Sequence, residues 1–142
     1  MAYCTQAQIE ARIPELANAY TESPDKFGDI VAAAIVWAQT QVDFHLSMVY
    51  SVPFDSVPDA IAQIAADLAA SFVLDSSFSG GGEAQASAMS SNLRQRGQVC
   101  LDLLRERKVT IPSSQVVDAI KGMSVGYCSG TPNKTQIENL RW

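Results

Sequence analysis

Histidine and cysteine, the residues that bind zinc most often, are scarce in this 142-residue sequence, which has one histidine and three cysteines. Cys4, Cys100 and Cys128 are widely spaced and form neither a CxxC pair nor a cluster with His45. A structural zinc site needs four nitrogen or sulfur ligands with short internal spacings. We therefore expect free thiols that serve as small buried hydrophobic residues, and no metal site.

Long uninterrupted apolar runs are missing as well. The stretch 30–38 is bounded by Asp29 and Gln39, and it is well short of the roughly 20 residues that a helix needs to cross a bilayer. The opening residues, MAYCTQAQIEAR, show neither the basic region nor the apolar region of a secretory signal. These features predict a protein that has no membrane partner and stays in the cytoplasm where it is made.

Catalytic and phosphate-binding signatures are also lacking. The glycines at 80–82 follow no predicted strand, and Glu83 comes next instead of lysine, so a flexible linker is expected there. His45 has no serine, cysteine or second histidine at a suggestive spacing. Asp59 and Asp67 are eight residues apart, as acids on solvated helices often are. The sequence predicts no catalytic residue, no cofactor and no enzymatic activity. A helical enzyme or enzyme accessory is a competing class, and a deep pocket holding acids with shifted pKa values would favour it.

The apolar residues that are present recur every three or four positions, which predicts an all-α fold. Thr5 and Gln8 fit a capping box, Pro14 limits the first helix, and Ser56 precedes the third as its N-cap. The predicted helices cover residues 6–12, 29–49, 57–74 and 83–107. The second and third form a long antiparallel hairpin. With the fourth they make a small helical bundle, one domain at 1–112, followed by an extended C-terminal segment at 113–142.

The same spacing predicts which side chains face the core, and Gly97 is expected to be a packing or kink point. In the second helix the expected inward residues are Ile30, Val31, Ala34, Ile35, Trp37, Gln41, Val42, Phe44, Met48 and Val49. In the third they are Ile61, Ile64, Ala65, Leu68, Phe72 and Val73, and in the fourth Met89, Leu93, Cys100, Leu103 and Leu104.

The net charge of −5 is divided unevenly along the chain. Residues 1–75 hold ten acids and two bases, a net of −8, whereas residues 76–142 hold eight bases and five acids, a net of +3. One interpretation is that neighbouring copies present complementary faces to each other. The other is that solvated helix faces differ by chance. The candidate inter-subunit contacts are Arg94, Arg105, Arg107, Asp59 and Asp67.

A small helical DNA-binding or regulatory protein is the alternative that the fourth helix suggests. Arg94 and Arg105 are three turns apart and share a face with other bases nearby. Asp102 and Glu106 interrupt the cluster, however, and no aromatic residue is available for base stacking. Salt-dependent binding of duplex DNA would favour this alternative.

The C-terminal segment is too polar to form a core, but it ends in Ile137, Leu140 and Trp142. Apolar residues on a polar tail favour docking on a partner.

Four stretches together resemble the head-to-tail connector (adaptor, head-completion) family of tailed bacteriophages, including its Mu-like branch. They are YCTQAQIEARIP at the start, QVDFHLSMVYSVPF at the end of the long helix, VPDAIAQIAADLA at the start of the next, and TPNKTQIENLRW at the close. The order and spacing of these pieces carry the resemblance, which covers nearly the whole chain.

The resemblance implies a non-catalytic structural role in the virion neck, for a protein made in the bacterial host cytoplasm. The implied assembly is a ring of about twelve copies with head-to-tail contacts. It would bind the portal protein, extend the DNA channel and receive a stopper, tail-terminator or tail protein, while genomic DNA passes without sequence-specific binding. Docking of the C-terminal tail on the portal would involve Ile137, Leu140, Arg141 and Trp142. An acidic channel wall would repel the passing phosphates.

Overall fold

The computed structural model describes residues 2–78 and 84–111, with the side chains of residues 84–87 outside the description. Several sequence predictions fall outside these residues. They are the C-terminal segment at 113–142 with its docking residues Ile137, Leu140, Arg141 and Trp142, the thiol of Cys128, and the glycine linker at 80–82.

Five helices make up the described chain, and the predicted all-α fold is confirmed. They are α1 (Gln6–Glu10), α2 (Pro14–Ala19), α3 (Pro24–Leu46), α4 (Asp59–Phe78) and α5 (Ala84–Arg105). Helix α4 packs against both α3 and α5, and the N-terminal helix α1 also contacts α4.

The prolines near the N-terminus begin helices, which the sequence prediction missed. The capping box is present, with the Thr5 N–H donating to Gln8 Oε1 at 2.9 Å, but α1 ends at Glu10 and not at residue 12. Pro14 and Pro24 then start α2 and α3. Proline suits these positions because a first-turn N–H has no intrahelical partner. The prediction was therefore wrong in omitting α2 and in starting the long helix at residue 29.

Helix α4 is the centre of the bundle. Eleven of its twenty residues are buried, among them Ile61, Ala65 and Leu68. Among the described residues it is also the one helix long and apolar enough to cross a membrane by length and composition, but 61% of that window is buried inside the protein. Burial between α3 and α5 accounts for its apolar sequence.

The buried face of α3 differs in part from the predicted one. Val31, Ala34 and Val42 are buried as expected, but Phe44 and Met48 are 75% and 71% exposed. The face that packs on α4 carries small residues at its middle, which lets the helix axes approach closely. Spacing alone could not choose between the two apolar stripes of α3, and the prediction that Phe44 and Met48 face inward was wrong. The buried residues of α3 are Phe27, Val31, Ala34, Ala38, Val42 and Leu46.

Helix α5 lies antiparallel to α4 at short range. Gly97 makes this possible, because a Cβ there would lie 2.8 Å from Leu68 Cδ2. Its predicted packing role is thus confirmed. Leu93 and Leu104 are buried as predicted, whereas Met89 is 39% exposed and its predicted inward position was wrong.

One end of the bundle is defined by the finish of α3 and α5 and the start of α4; we call it the Tyr50 end. After α3 the chain turns through a cis Val52–Pro53 peptide, and Phe54 packs edge-on against Tyr3 with ring centroids 5.7 Å apart. The Ile111 N–H donates to the Tyr50 hydroxyl at 3.4 Å. The ring contact of Tyr3 and the hydrogen bond of Ile111 thereby hold both ends of the described chain at the Tyr50 end.

Candidate functional surfaces

Asp67 of α4 connects three separate parts of the fold. Its side chain is 8% exposed and accepts hydrogen bonds from Arg12, at the end of α1, and from Arg96 of α5. The Arg96 contact is bidentate, with Nε and Nη2 each 2.6 Å from a carboxylate oxygen. These bonds and the charge of Asp67 raise the pKa of Arg96. Paired geometry of this kind fixes both the register and the orientation of the helices.

Arg12 is held by more than this one carboxylate. Its Nη1 donates to the Gln8 carbonyl oxygen at 2.8 Å, and its Nη2 donates to the side chain of Gln63. The guanidinium is therefore fully committed to contacts within the chain, and 16% of its side chain is exposed.

A second charged link joins α4 and α5 near their other end. Asp75 accepts hydrogen bonds from Ser90 and Arg94, and the single hydroxyl hydrogen of Ser90 is shared with the Ser71 carbonyl oxygen at 3.2 Å. Arg94 and Asp75 are both partly exposed. Of the five residues predicted to make inter-subunit contacts, Asp67 and Arg94 thus have partners in their own chain, and a role between subunits stays a prediction for both.

The other three predicted residues lie at the Tyr50 end and are exposed. Asp59 occupies the first turn of α4, where its carboxylate suits the helix dipole. Arg105 is in the last turn of α5, and Arg107 follows two residues later. Because α4 and α5 are antiparallel, the start of one and the end of the other bring acidic and basic side chains to the same end of the bundle.

Arg107 ends α5 in a left-handed conformation, with φ of 58°. Lys108 N–H donates to the Leu103 carbonyl oxygen at 3.0 Å and Arg107 N–H to that of Leu104 at 3.2 Å, which is the Schellman arrangement. Glycine is the usual residue there, since a Cβ in this conformation costs roughly 1–2 kcal/mol. The chain has a long cationic side chain instead, which projects into solvent.

We expect Arg107→Gly to raise the free energy of unfolding by about 1 kcal/mol because the backbone strain is removed. Urea denaturation followed by circular dichroism at pH 7 measures this change. Arg105→Gly is the matched control, since Arg105 is helical and glycine there should cost about 1 kcal/mol. A loss of stability in both variants would contradict the assigned backbone conformation.

An uncharged face on α3 is the surface that sequence reasoning missed. Between residues 30 and 49, none of the exposed residues carries a charge. We call this surface the α3 strip; its exposed residues are Ala32, Ala33, Val36, Thr40, Phe44, Ser47 and Met48. The signal was present in the sequence as a second apolar stripe beside the buried one. A contiguous exposed apolar face of this kind is typical of interaction sites.

The cavities of the described region hold few reactive groups. One of about 570 Å³ lies between the α1–α2 junction, the end of α4 and the first turns of α5, with mostly apolar residues along it. A smaller one of about 190 Å³ is lined by His45, Gln41, Arg94 and others. Two buried atoms of these side chains, His45 Nδ1 and Arg94 Nε, have no hydrogen-bond partner.

The buried titratable groups near the N-terminus are held in their neutral forms. Burial raises the pKa of the Cys4 thiol to about 11. Burial and a hydrogen bond to Asp43 raise the pKa of Tyr3 to about 12, and the Tyr3 hydroxyl also accepts from the Phe54 N–H at 3.0 Å. Cys4 and Cys100 are free thiols, as predicted. In residues 2–78 and 84–111, no group of three histidines, cysteines or acids is placed to hold a metal ion.

The molecule is thus a small all-α bundle that presents an uncharged helix face and, at one end, exposed charges of both signs. Comparison with protein families gives one match, to the model described as Bacteriophage Mu, Gp36, over residues 3–124. That range is most of the chain, and the protein belongs to this phage family. It is accordingly a phage structural or assembly protein, and the predicted resemblance to a Mu-like family is confirmed. Neither a curated protein nor a solved structure matched the chain.

Proposed function

We propose that this protein is a head-to-tail connector subunit that forms a ring under the portal of the phage head. The ring, of about twelve copies, extends the DNA channel and receives a stopper, tail-terminator or tail protein. The virion neck is its location, and the bacterial host cytoplasm is where it is made. This role goes beyond the family assignment, which makes the protein a phage structural or assembly protein.

The observation that carries the proposal is that one subunit has two unlike surfaces. The α3 strip is uncharged, whereas the exposed end of α5 carries Arg105 and Arg107. A closed ring requires head-to-tail contacts in which one face of a subunit meets a different face of the next. Unlike surfaces on different helices fit that requirement better than a single self-complementary patch does.

The internal charge contacts also support a structural role. Asp67 and Asp75 tie α5 to α4 at two levels of the bundle, and Arg12 ties the N-terminal helices to the same centre. These ion pairs hold the helices in fixed relative positions. A symmetric assembly needs subunits whose surfaces keep fixed orientations.

A non-catalytic protein is part of the proposal. The described cavities contain no nucleophile beside a general base, and the buried thiol of Cys4 has its pKa raised away from the range of reactive thiolates. Glu106, whose pKa is lowered by its hydrogen bond with Lys108, is exposed on the surface.

DNA passes through the proposed ring without sequence-specific binding. Two arginines that could otherwise track phosphates, Arg94 and Arg96, are paired with Asp75 and Asp67. Lys108 is paired with Glu106. Charges neutralised within the chain contribute little to counterion release, so the described α5 surface favours protein contacts over duplex binding.

Contact with the portal is proposed for the C-terminal residues Ile137, Leu140, Arg141 and Trp142, whose apolar and cationic side chains suit a protein groove. With the tail bound there, the helical bundle remains available for contacts between copies.

Cryo-electron microscopy of phage particles that contain this chain tests the proposal. The expected result is a closed ring of the helical bundle between portal and tail. Density at another position in the particle, or none, would contradict it. Titration of the purified chain with duplex DNA at low and high salt is the companion measurement, because tight, salt-dependent binding would favour the DNA-binding alternative.

A further inference from the structure

The exposed large hydrophobic side chains of the described region fall into two groups. Val36, Phe44 and Met48 belong to the α3 strip, and the others lie on α5 or just after it. The second group is Met89, Val99 and Val109. Both helices pack against α4, so their exposed sides turn away from the helix that they share.

The exposed side of α5 has a face that suits another helix. Asn92, Gln95, Arg96 and Val99 are all exposed and occupy positions i, i+3, i+4 and i+7, which lie along one side of a helix. Arg96 is the cation in this set, and its charge is engaged by Asp67. We call these four residues the α5 face. The α5 face, like the α3 strip, contains no unpaired charge. Burying either surface therefore does not carry the cost of removing an unpaired charge from water.

At the Tyr50 end, exposed acids lie around the start of α4, and exposed bases lie at the end of α5. Asp55 and Asp59 are exposed where the chain passes from α3 into α4, and Arg105 and Arg107 are exposed at the end of α5. Asp102 is exposed there as well, and Glu106 is paired with Lys108. Helices α3 and α5 run in the same direction in one subunit. If two subunits are placed side by side in a ring, the acidic pair of one therefore comes level with the basic pair of the other.

We infer that the α3 strip of one subunit packs against the α5 face of a second copy of this chain, with Asp55 and Asp59 facing the second copy's Arg105 and Arg107. The inference rests on the proposed ring and names the contact that builds it. The two helices are parallel, and each subunit uses both surfaces, so the contact repeats around the ring.

Other occupants of the α3 strip fit the observations less well. Nucleic acid needs cations, and the strip has none. A bilayer surface favours Lys and Arg beside the apolar face, whereas the charged residues of α3 outside the strip are three acids, Asp25, Asp29 and Asp43, and a single base, Lys26. Pairing of two α3 strips by a twofold axis would bring acidic residues of both copies together and close as a dimer.

Site-specific photo-cross-linking in phage-producing cells tests the contact on the full chain. Phe44 is replaced by a photoreactive benzoyl-phenylalanine, the cells are irradiated, and the cross-linked peptides are identified by mass spectrometry. The expected product is a dimer of the chain that joins position 44 to a peptide containing Val99 of the second copy. The same replacement at Ala7, which is exposed on α1, is the matched control and should not give this peptide.

The other possible cross-linked products distinguish a failure of the inferred contact from a failure of the proposed connector function. A link from position 44 to position 44 overturns the inference but leaves self-assembly standing. A link to residues 112–142 of the same chain shows that the strip is covered internally and overturns it too. A link only to a different protein, together with particles that lack a ring, overturns both the inference and the proposed function. No product from position 44, in particles that do contain the ring, overturns the inference alone.

Substitution gives a second readout. Phe44→Asp places a charge in the middle of the α3 strip and should reduce incorporation into particles by about tenfold or more, as loss of a central interface anchor does. Ala7→Asp adds the same charge in the first turn of α1 and should incorporate normally. Because Phe44 is exposed, circular dichroism should show both variants folded. Normal incorporation of a folded Phe44→Asp chain would contradict the contact.

Discussion

Asp67→Asn is expected to lower the free energy of unfolding by about 3 kcal/mol, the low end of the range for breaking a buried ion pair. Asparagine keeps the size of the side chain but removes the charge that both arginines share. Arg96 is largely exposed and can turn to water, whereas Arg12 is 16% exposed and would remain beside a neutral amide. An uncompensated cation near the core causes most of the expected loss.

Urea denaturation at pH 7, followed by circular dichroism, measures the effect. Asp75→Asn is the matched control, because Asp75 also joins α4 to α5 but is 45% exposed. Exposed pairs contribute about 1 kcal/mol or less, so this variant should be close to the parent. Equal losses in the two variants would show that burial does not distinguish the two links.

Alanine substitutions at two helical glycines should have opposite effects on stability. At Gly97 the new methyl group would lie 2.8 and 2.9 Å from two carbons of the buried Leu68 side chain. Overpacking of this kind costs about 1–3 kcal/mol, and the gain in helix propensity of about 1 kcal/mol offsets it in part. We expect a net loss of up to about 2 kcal/mol for Gly97→Ala.

Gly28→Ala supplies the comparison, since nothing lies within 4 Å of the added group and the position is inside α3. Here the gain in helix propensity should appear alone, as an increase of about 0.5–1 kcal/mol. Thermal and urea unfolding of both variants measure the difference. A stabilised Gly97→Ala variant would mean that α4 and α5 are not in close contact at Leu68.

The fold class followed from helical periodicity, and so did the approximate positions of α4 and α5, although α4 begins at Asp59 and not directly after the predicted N-cap Ser56. The boundaries near Pro14 and Pro24 did not, because proline both ends one helix and begins the next, and a sequence shows only that the chain changes direction there. The buried face of α3 was harder still to predict. Apolar residues continue around α3 from the buried face to the exposed one, and the choice depends on the shape of α4, which becomes known only with the fold.

The roles of the charged residues were also predictable only in part from the sequence. Sequence reasoning selected Arg94, Arg105, Asp59 and Asp67 by sign and position, and the structure places Asp59 and Arg105 in solvent at one end of the bundle. Sequence reasoning could not show that Asp67 is paired within its own chain, because the partners of Asp67 are 55 and 29 residues away along the chain. Contacts over such separations depend on tertiary packing, which local pattern does not encode.

The burial of α4 on both flanks also limits how this protein can change shape. Exposing that helix would uncover a twenty-residue apolar segment of the kind that aggregates or enters lipid. Any rearrangement that accompanies binding to a larger assembly therefore has to leave the three long helices together. The parts freest to adjust are the short helices α1 and α2, which reach this frame through Ile9, Ile13 and Leu16 and through the Arg12 contacts. In hydrogen exchange, amides of α4 should consequently be the last to exchange, at the rate of global unfolding, while those of α1 and α2 open independently.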